Sequence, residues 1–398
     1  MTDKRSHVVV AGAGVAGLET ALALDAIARQ HVTVELIAPE RDFTYRPMAV
    51  AQPFHMGEVR RFPLDQLVRA AGAEFRYGSV AGVDAEEKRA LLADGRSVAY
   101  DMLVLALGGR PREAVPGALT FRGSDDWTAL DDLLERVTVG ELRRLVFALP
   151  AGASWPLPLY ELAFLASEYL AEHMTRGVEI AVVTPEERPL ALFGVGVSTA
   201  IAELLEVRGV QIETAAVAHS WANGTLFLGD GHEILADAVV TLPLLEGPPI
   251  DGIPQDESGF VATDELGGVV GLSDVYAAGD LIQSPIKQGG LAAQQADSVA
   301  TAIAADAGAP VQATPYEPVL RGLLLTGMAP RFLRSEGSTS AIDTQPLWWP
   351  PAKIVGRYLS PFLAEHLGLA TALPEPPNEA IPVEVSVDTR DHASWSAV

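Results

Sequence analysis

Residues 7–17 read HVVVAGAGVAG. His7 to Ala11 is a short apolar run of the kind that forms a fully buried strand, and glycines follow it at once. Leu18 to Arg29 is compatible with a helix, and Val32 to Ala38 is a second apolar strand. Strand, crossover helix and strand in so few residues make a βαβ unit, which puts both strands in a parallel sheet. The turn, Gly12-Ala13-Gly14-Val15-Ala16-Gly17, suits a dinucleotide. Gly12 permits the tight turn, Gly14 lets the backbone approach a pyrophosphate, and Gly17 lets the helix close on the strand. The helix N-terminus then offers free N–H groups to the anion. A carboxylate for the ribose is expected near the end of the second strand. Glu40, just past Ala38, is preferred, and Glu35 within the strand reads as an ordinary sheet residue.

Outward from this unit, Phe75 to Val83 and Ser97 to Ala106 read as strands, the latter ending in Leu107-Gly108-Gly109. About 135 residues after the first unit the layout returns: strand Leu145 to Leu149, helix Leu157 to His173, strand Val178 to Val183, helix Val197 to Val207. This is an internal duplication at the level of fold. A third segment, Gly259 to Ala305, holds a strand (Val275 to Ala278), a Gly-Asp turn and an alanine-rich helix from Leu291. The expected architecture is α/β: two Rossmann-like domains, one for FAD and one of degenerate NAD type, plus a C-terminal interface segment. The boundaries are 1–117 and 252–312 for the two parts of the first domain, 118–251 for the second and 313–398 for the C-terminal segment.

Four stretches in order carry a family resemblance: Gly12 to Gly17, Phe43-Thr44-Tyr45-Arg46-Pro47, Tyr100-Asp101 running to Gly109-Arg110-Pro111, and Tyr276-Ala277-Ala278-Gly279-Asp280. The chain resembles flavoproteins with two dinucleotide-binding domains, in the branch of sulfide:quinone oxidoreductases and type II NADH dehydrogenases. The resemblance implies FAD on the first domain. It implies cofactor contacts at Gly12, Gly14, Gly17, Glu40, Pro47, Val80, Gly108, Arg110, Gly279, Asp280, Lys287 and Gln288. Val80 matches the position whose backbone meets adenine, and Asp280 can accept hydrogen bonds from ribityl hydroxyls. After Asp280 comes Pro285-Ile286-Lys287-Gln288-Gly289-Gly290 and then a helix. A helix N-terminus and the Lys287 ammonium near the isoalloxazine would favour an anionic reduced flavin, which makes Lys287 the candidate catalytic residue. Lysine otherwise occurs only at positions 4, 88 and 353.

The chain also departs from that branch. The second phosphate turn reads Leu149-Pro150-Ala151-Gly152-Ala153-Ser154-Trp155-Pro156-Leu157-Pro158, with one glycine and three prolines. Proline removes donors, and Trp155 occupies volume a pyrophosphate would need, so standard NADH binding is not expected. Glu161 falls where the family has an acidic residue in the following helix, and a plain helix-face glutamate is nearly as good a reading. The sequence contains no cysteine, which excludes persulfide intermediates, dithiol relays, disulfides and thiolate metal sites. No metal site is expected.

The C-terminal segment contains Leu347-Trp348-Trp349-Pro350-Pro351 and a helix expected over Ala352 to Leu367, with Ile354, Val355, Tyr358, Leu359, Phe362 and Leu363 at helical spacing. Lys353 and Arg357 are placed on or near its other face. Residues 347–367 are open to two readings: peripheral contact with a membrane, or packing on the chain's own core or a second subunit of a homodimer. Beyond Leu373 the chain is Pro-rich and acidic, which suits an extended tail. The formal net charge of −24, from 28 basic and 52 acidic residues, repels phosphate backbones and argues against a nucleic-acid partner. No signal with an apolar core and no run long enough to span a bilayer is present, so a cytoplasmic location is expected, with or without contact at the inner face of the membrane. Three functions remain open from sequence. The first is an FAD-dependent oxidoreductase passing electrons from a small-molecule donor to a quinone-like or other small acceptor. The second is an NAD(P)H-dependent flavin reductase, and the third is a flavin-stabilised binding or assembly protein.

Overall fold

The computed structural model describes residues 5–366. Helices, in chain order, are α1 (Val15–Ala28), α2 (Leu64–Ala70), α3 (Trp127–Thr138), α4 (Leu157–Glu172), α5 (Val195–Val207), α6 (Gly289–Asp306) and α7 (Leu359–His366). The first sheet is wholly parallel, in the order Val275–Ala277, Met102–Leu105, Ser6–Ala11, Val32–Ala38, Glu74–Tyr77. Its central strands are buried on both faces, which is why they read as unbroken apolar runs rather than alternating ones. Helices α1 and α6 pack on one face, and their alanine-rich, glycine-containing surfaces allow a close approach. The edge strand Val275–Ala277 arrives only after the whole second unit, so the first unit is built from two separated parts of the chain.

The second sheet repeats the plan: Leu119–Thr120, Ala238–Thr241, Arg144–Ala148, Glu179–Val183, Val210–Glu213, again all parallel. Each unit also carries a three-stranded antiparallel meander at the same point in its topology. One is Val80–Asp84, Arg89–Leu92 and Ser97–Ala99, and the other is Ala218–Ala222, Thr225–Leu228 and Glu233–Leu235. The α/β plan and the duplicated Rossmann-like units therefore stand.

Three local expectations need correction. Phe75 to Val83 is not one strand: the chain leaves the parallel sheet after Tyr77, turns through Gly78 and Ser79, and starts the meander at Val80. Ser97 to Ala106 is likewise divided, into Ser97–Ala99 and Met102–Leu105. Each run resumes with strand-forming residues on the far side, so the pairs Gly78-Ser79 and Tyr100-Asp101 are the only marks of the breaks. The C-terminal helix begins at Leu359 rather than Ala352, because residues 352–358 form an irregular strap whose backbone N–H groups bond outward to other elements. Leu367 and the acidic tail lie outside the described residues.

Strands Val319–Leu324, Arg331–Glu336 and Thr339–Asp343 form an antiparallel sheet. Its inner face (Leu320, Leu324, Leu333, Ile342) joins the core of the second unit around Tyr160, Phe164 and Phe193. The strap returns to the first unit, where Leu359 and Leu363 enter the core beside α1. Residues 347–366 thus pack in part on the chain's own core. Among the described residues no helix is long and apolar enough to cross a membrane.

Candidate active site

The first glycine turn has the shape of a phosphate cradle. A Cβ on Gly12, at φ +108°, would lie 2.2 Å from the Ala106 carbonyl oxygen, and one on Gly17 would lie 1.9 Å from that of Gly12. Both positions are closed to any side chain. A Cβ on Gly14 would meet nothing within 4 Å, so the space in front of the α1 N-terminus is free for an incoming group. Gly14 is the N-cap of α1 and brings no side-chain oxygen to its first N–H groups, which leaves them for an anion. Gly108 (φ +71°) also faces open space, and Gly279 (φ +81°) lies against Ala16, donating its N–H to Gln295 Oε1 at 2.8 Å.

The other candidates lie on separate elements of the first unit. Glu35 is buried and committed to Arg76 and, at 3.4 Å, to His7, which removes it as a ribose ligand. Glu40 is exposed just past the strand. Val80 opens the meander, and Arg110 is exposed on the short strand Arg110–Arg112 that crosses to Leu244–Glu246 of the second unit. Asp280 is half-buried. Burial raises its carboxyl above the ordinary range, with the nearby Lys287 and Arg46 charges pulling it down. The residues thus fit FAD: an open anion turn, and a carboxylate held among cations.

Lys287 is buried, not a surface lysine. Its ammonium donates to the Ile282 carbonyl and lies 3.7 Å from the Phe260 ring centroid. Loss of hydration lowers its pKa to about 8, against the pull of Asp280 and Asp256. Gln288, also buried, is the N-cap of α6: its Oε1 accepts from Leu291 N at 2.9 Å and its Nε2 donates to the Arg321 carbonyl at 3.1 Å. Its side chain is spent on capping, which leaves its backbone for a cofactor.

Lys287 and Gln288 border a cavity of about 290 Å³ between the two units. Its apolar wall includes Val50, Phe121, Trp155, Leu242, Leu245 and Leu323, and Arg46 and Pro47 lie at the side of the first unit. Among the described residues the one carboxylate lining it is Glu161, from the first turns of α4. Glu161 Oε1 lies 2.6 Å from Lys353 Nζ and accepts Leu325 N at 2.9 Å, while Lys353 also donates to the Pro47 carbonyl at 3.2 Å. Both side chains are almost wholly buried. Burial raises the Glu161 carboxyl, and Lys353 opposes it. Lys353 was expected on an outer helix face and is instead an ion-pair partner inside the cavity, carried there by the strap. The pair spans 192 residues. Its only trace in the sequence is the scarcity of lysine.

The second unit's turn has been turned inward. Helix α4 starts from Pro156, and its second residue, Pro158, has no N–H. Leu159 N bonds the Pro156 carbonyl, so little is left for an anion. The Trp155 ring packs edge-on against the buried Phe193, with centroids 6.0 Å apart. Glu186, three residues past the end of strand Glu179–Val183, stands where a ribose carboxylate would be sought. It accepts from Tyr160 Oη at 2.6 Å and from Thr184 Oγ1 at 3.0 Å.

The sequence profile of the pyridine nucleotide-disulphide oxidoreductase family matches residues 6–147 and 161–304. Among curated proteins, the chain is 27% identical over 310 residues to a demethylphylloquinone reductase of Synechocystis, covering 70% of this chain and 72% of that one. It is 26% identical over 302 residues to an NADH dehydrogenase-like protein of Mycobacterium tuberculosis, covering 69% and 72%. The structure superimposes on the sulfide:quinone oxidoreductase of Aquifex aeolicus with a TM-score of 0.76 at 18% identity, covering 85% of this chain and 86% of the other.

Proposed function

We propose, for a chain that belongs to the pyridine nucleotide-disulphide oxidoreductase family and takes FAD as its cofactor, that it passes electrons to a compact quinone-like acceptor bound in the cavity between its two units. The observation that carries this reading is the Glu161–Lys353 pair, a carboxyl and a cation buried together in an apolar wall. When bound, FAD supplies the two-electron chemistry. The protein supplies the rest. Gly12, Gly14 and the α1 N-terminus hold the pyrophosphate, and Asp280 holds ribityl hydroxyls. Lys287 sets a positive charge at the flavin side of the cavity. Phe121, Trp155 and Leu323 exclude water, so that the cavity's few charges act at low dielectric. Lys353 orients an acceptor oxygen through its ammonium, and Glu161, whose carboxyl burial raises against the pull of Lys353, is the acid through which that oxygen receives its proton on reduction.

The acceptor is supported by the name of the Synechocystis relative and by the cavity's apolar wall with two polar anchors. A persulfide route is closed, because the chain contains no cysteine. The NAD(P)H-dependent reading has the mycobacterial relative's name in its favour and the α4 turn against it. We take the donor to be a small reductant other than NAD(P)H. The test is anaerobic: photoreduce the FAD-loaded chain, mix it with a soluble benzoquinone, and follow the return of the oxidised flavin band. Wild type should reoxidise far faster than Glu161→Gln, by about 10² or more, the usual worth of a positioned acid. Equal rates for the two proteins would remove Glu161 from the chemistry.

A further inference from the structure

A second pair of buried carboxyls lies away from the cavity, where the strap meets the first unit. Glu19 of α1 is wholly buried, and each of its oxygens accepts a backbone N–H of the strap: Tyr358 N at 2.8 Å and Leu359 N at 2.7 Å. The fit leaves no slack, since a Cβ on Gly356 would come within 2.4 Å of Glu19 Oε2. Asp297 of α6 lies close enough to Glu19 for the charge of each to bear on the other, and two carboxyls buried side by side keep a proton between them. Asp297 Oδ1 is buried without a hydrogen-bond partner among the described residues. The strap contributes Arg357, whose charge acts on Asp297, and Ser360, which bonds Gly356 N and the Ile354 carbonyl. The same strap bonds Tyr45 through Ile354 N and delivers Lys353 to Glu161.

We propose that Glu19 and Asp297 are positioning residues: sharing one proton, they latch the strap onto the first unit and so hold Lys353 in the cavity. The pair touches neither the cavity nor the cofactor turn, and acts only through the eight-residue stretch from Lys353 to Ser360. Its latch is strongest when the shared proton is present. Two carboxylates side by side under the strap repel each other and regain hydration only if the strap lifts.

The sign follows from linkage. Burial, then the Asp297 charge, raises Glu19 from 4.5 to about 8, while the two strap N–H bonds pull it down. Burial raises Asp297 to about 6, with Arg357 and the bond from Glu19 opposing. Arg357 of the strap, stacked on the Tyr358 ring, is the cation whose charge bears on the pair. An acid whose pKa is higher docked than undocked favours the docked state at low pH and loses that contribution as pH rises through the docked value. The docked strap is therefore firm near pH 5 and progressively loosened toward pH 8.

Hydrogen exchange of the FAD-loaded full chain tests this without any turnover, so it stays informative even if the quinone reading fails. After correction for intrinsic exchange, protection of the Tyr358 and Leu359 amides should fall at least about tenfold between pH 5.5 and 8, since each pH unit between docked and undocked pKa values can change the equilibrium by up to tenfold. Amides of the strand Arg331–Glu336, remote from the pair, should show no such fall. Glu19→Gln keeps the shape but cannot ionise, and its slope should be much smaller than that of wild type, with only Asp297 left to titrate. If that variant does not fold, Asp297→Asn serves: it removes the opposing charge and should shrink the slope. A flat wild-type profile, or a variant with an unchanged slope, overturns the proposal.

Discussion

Replacing Lys353 by Met would leave Glu161 buried with no cation. The carboxylate would not stay charged there, because taking up a proton is easier than enduring an unpaired charge in an apolar wall. That escape sets the size of the effect. An unfolded carboxyl of this type titrates near 4.5. Keeping it protonated in the folded chain costs up to roughly 1.36 kcal/mol for each pH unit above that value. This is about 1.4 kcal/mol at pH 5.5 and about 3.4 kcal/mol at pH 7, the latter within the range measured when one partner of a buried pair is removed. At about 1.2 °C per kcal/mol for a chain of this length, the melting temperature should drop about 2–3 °C further at pH 7 than at pH 5.5. The sign is that of a raised carboxyl: the variant's stability is greatest at low pH and is lost as pH rises through the folded pKa of Glu161. Scanning calorimetry of FAD-loaded protein at the two pH values reads this directly. Adding Glu161→Gln to the variant should abolish the pH-dependent part. An equal loss at both values would mean that water reaches Glu161 and that the cavity wall is not dry.

Lys287→Met should lower the flavin midpoint potential, because the reduced anion loses a partner, and 30 mV corresponds to about 1.4 kcal/mol. The matching control is Lys88, which pairs with Asp274 on the surface and should leave the potential alone when changed to Met. Gly14→Val should fold, since its side chain enters open space, yet purify with little FAD, whereas Gly17→Ala should fail to fold; flavin content and circular dichroism separate the two. Stopped-flow mixing with NADH should show no flavin reduction on the millisecond scale at micromolar nicotinamide, and rapid bleaching would show that the α4 turn still holds a pyrophosphate. Tyr160→Phe removes the phenol donor of Glu186, leaving only the Thr184 hydroxyl, and should cost about 1–3 kcal/mol in unfolding experiments, with no gain in NADH binding by calorimetric titration.

The sequence showed most where chemistry is local. The turn Gly12 to Gly17 and the strand ending at Ala38 were legible because the tight turn, the anion site and the helix start fall within a few consecutive residues. The breaks after Tyr77 and Ala99 were less so, marked only by Gly78-Ser79 and Tyr100-Asp101, short pairs with strand-forming residues on both sides. The helical expectation over residues 352–358 failed for a related reason. Ile354, Val355 and Tyr358 keep helical spacing, yet the N–H groups of this stretch are taken by Tyr45 and Glu19 from elsewhere in the fold and by the Ser360 hydroxyl at the start of α7. Glu161 with Lys353, and Glu19 with Asp297, are pairs made by tertiary structure. Each partner alone looks like an ordinary charge on a helix or strap.

Splitting the first unit around the second also has a consequence for how the chain leaves the ribosome. When Met102–Leu105 emerges, its neighbour Ser6–Ala11 is already present, but its other neighbour, Val275–Ala277, is about 170 residues away. At about 5–20 residues per second, that edge waits roughly 10–30 s with four apolar residues and a row of unpaired backbone groups exposed. The second unit lies wholly within the intervening stretch and can fold during the wait, while Asp280 and α6 arrive only afterwards. The nascent chain therefore cannot complete its FAD site until nearly three-quarters of it has been made. Flavin supplied early in synthesis has nothing whole to bind, and the unfinished edge is the natural place for a chaperone to engage.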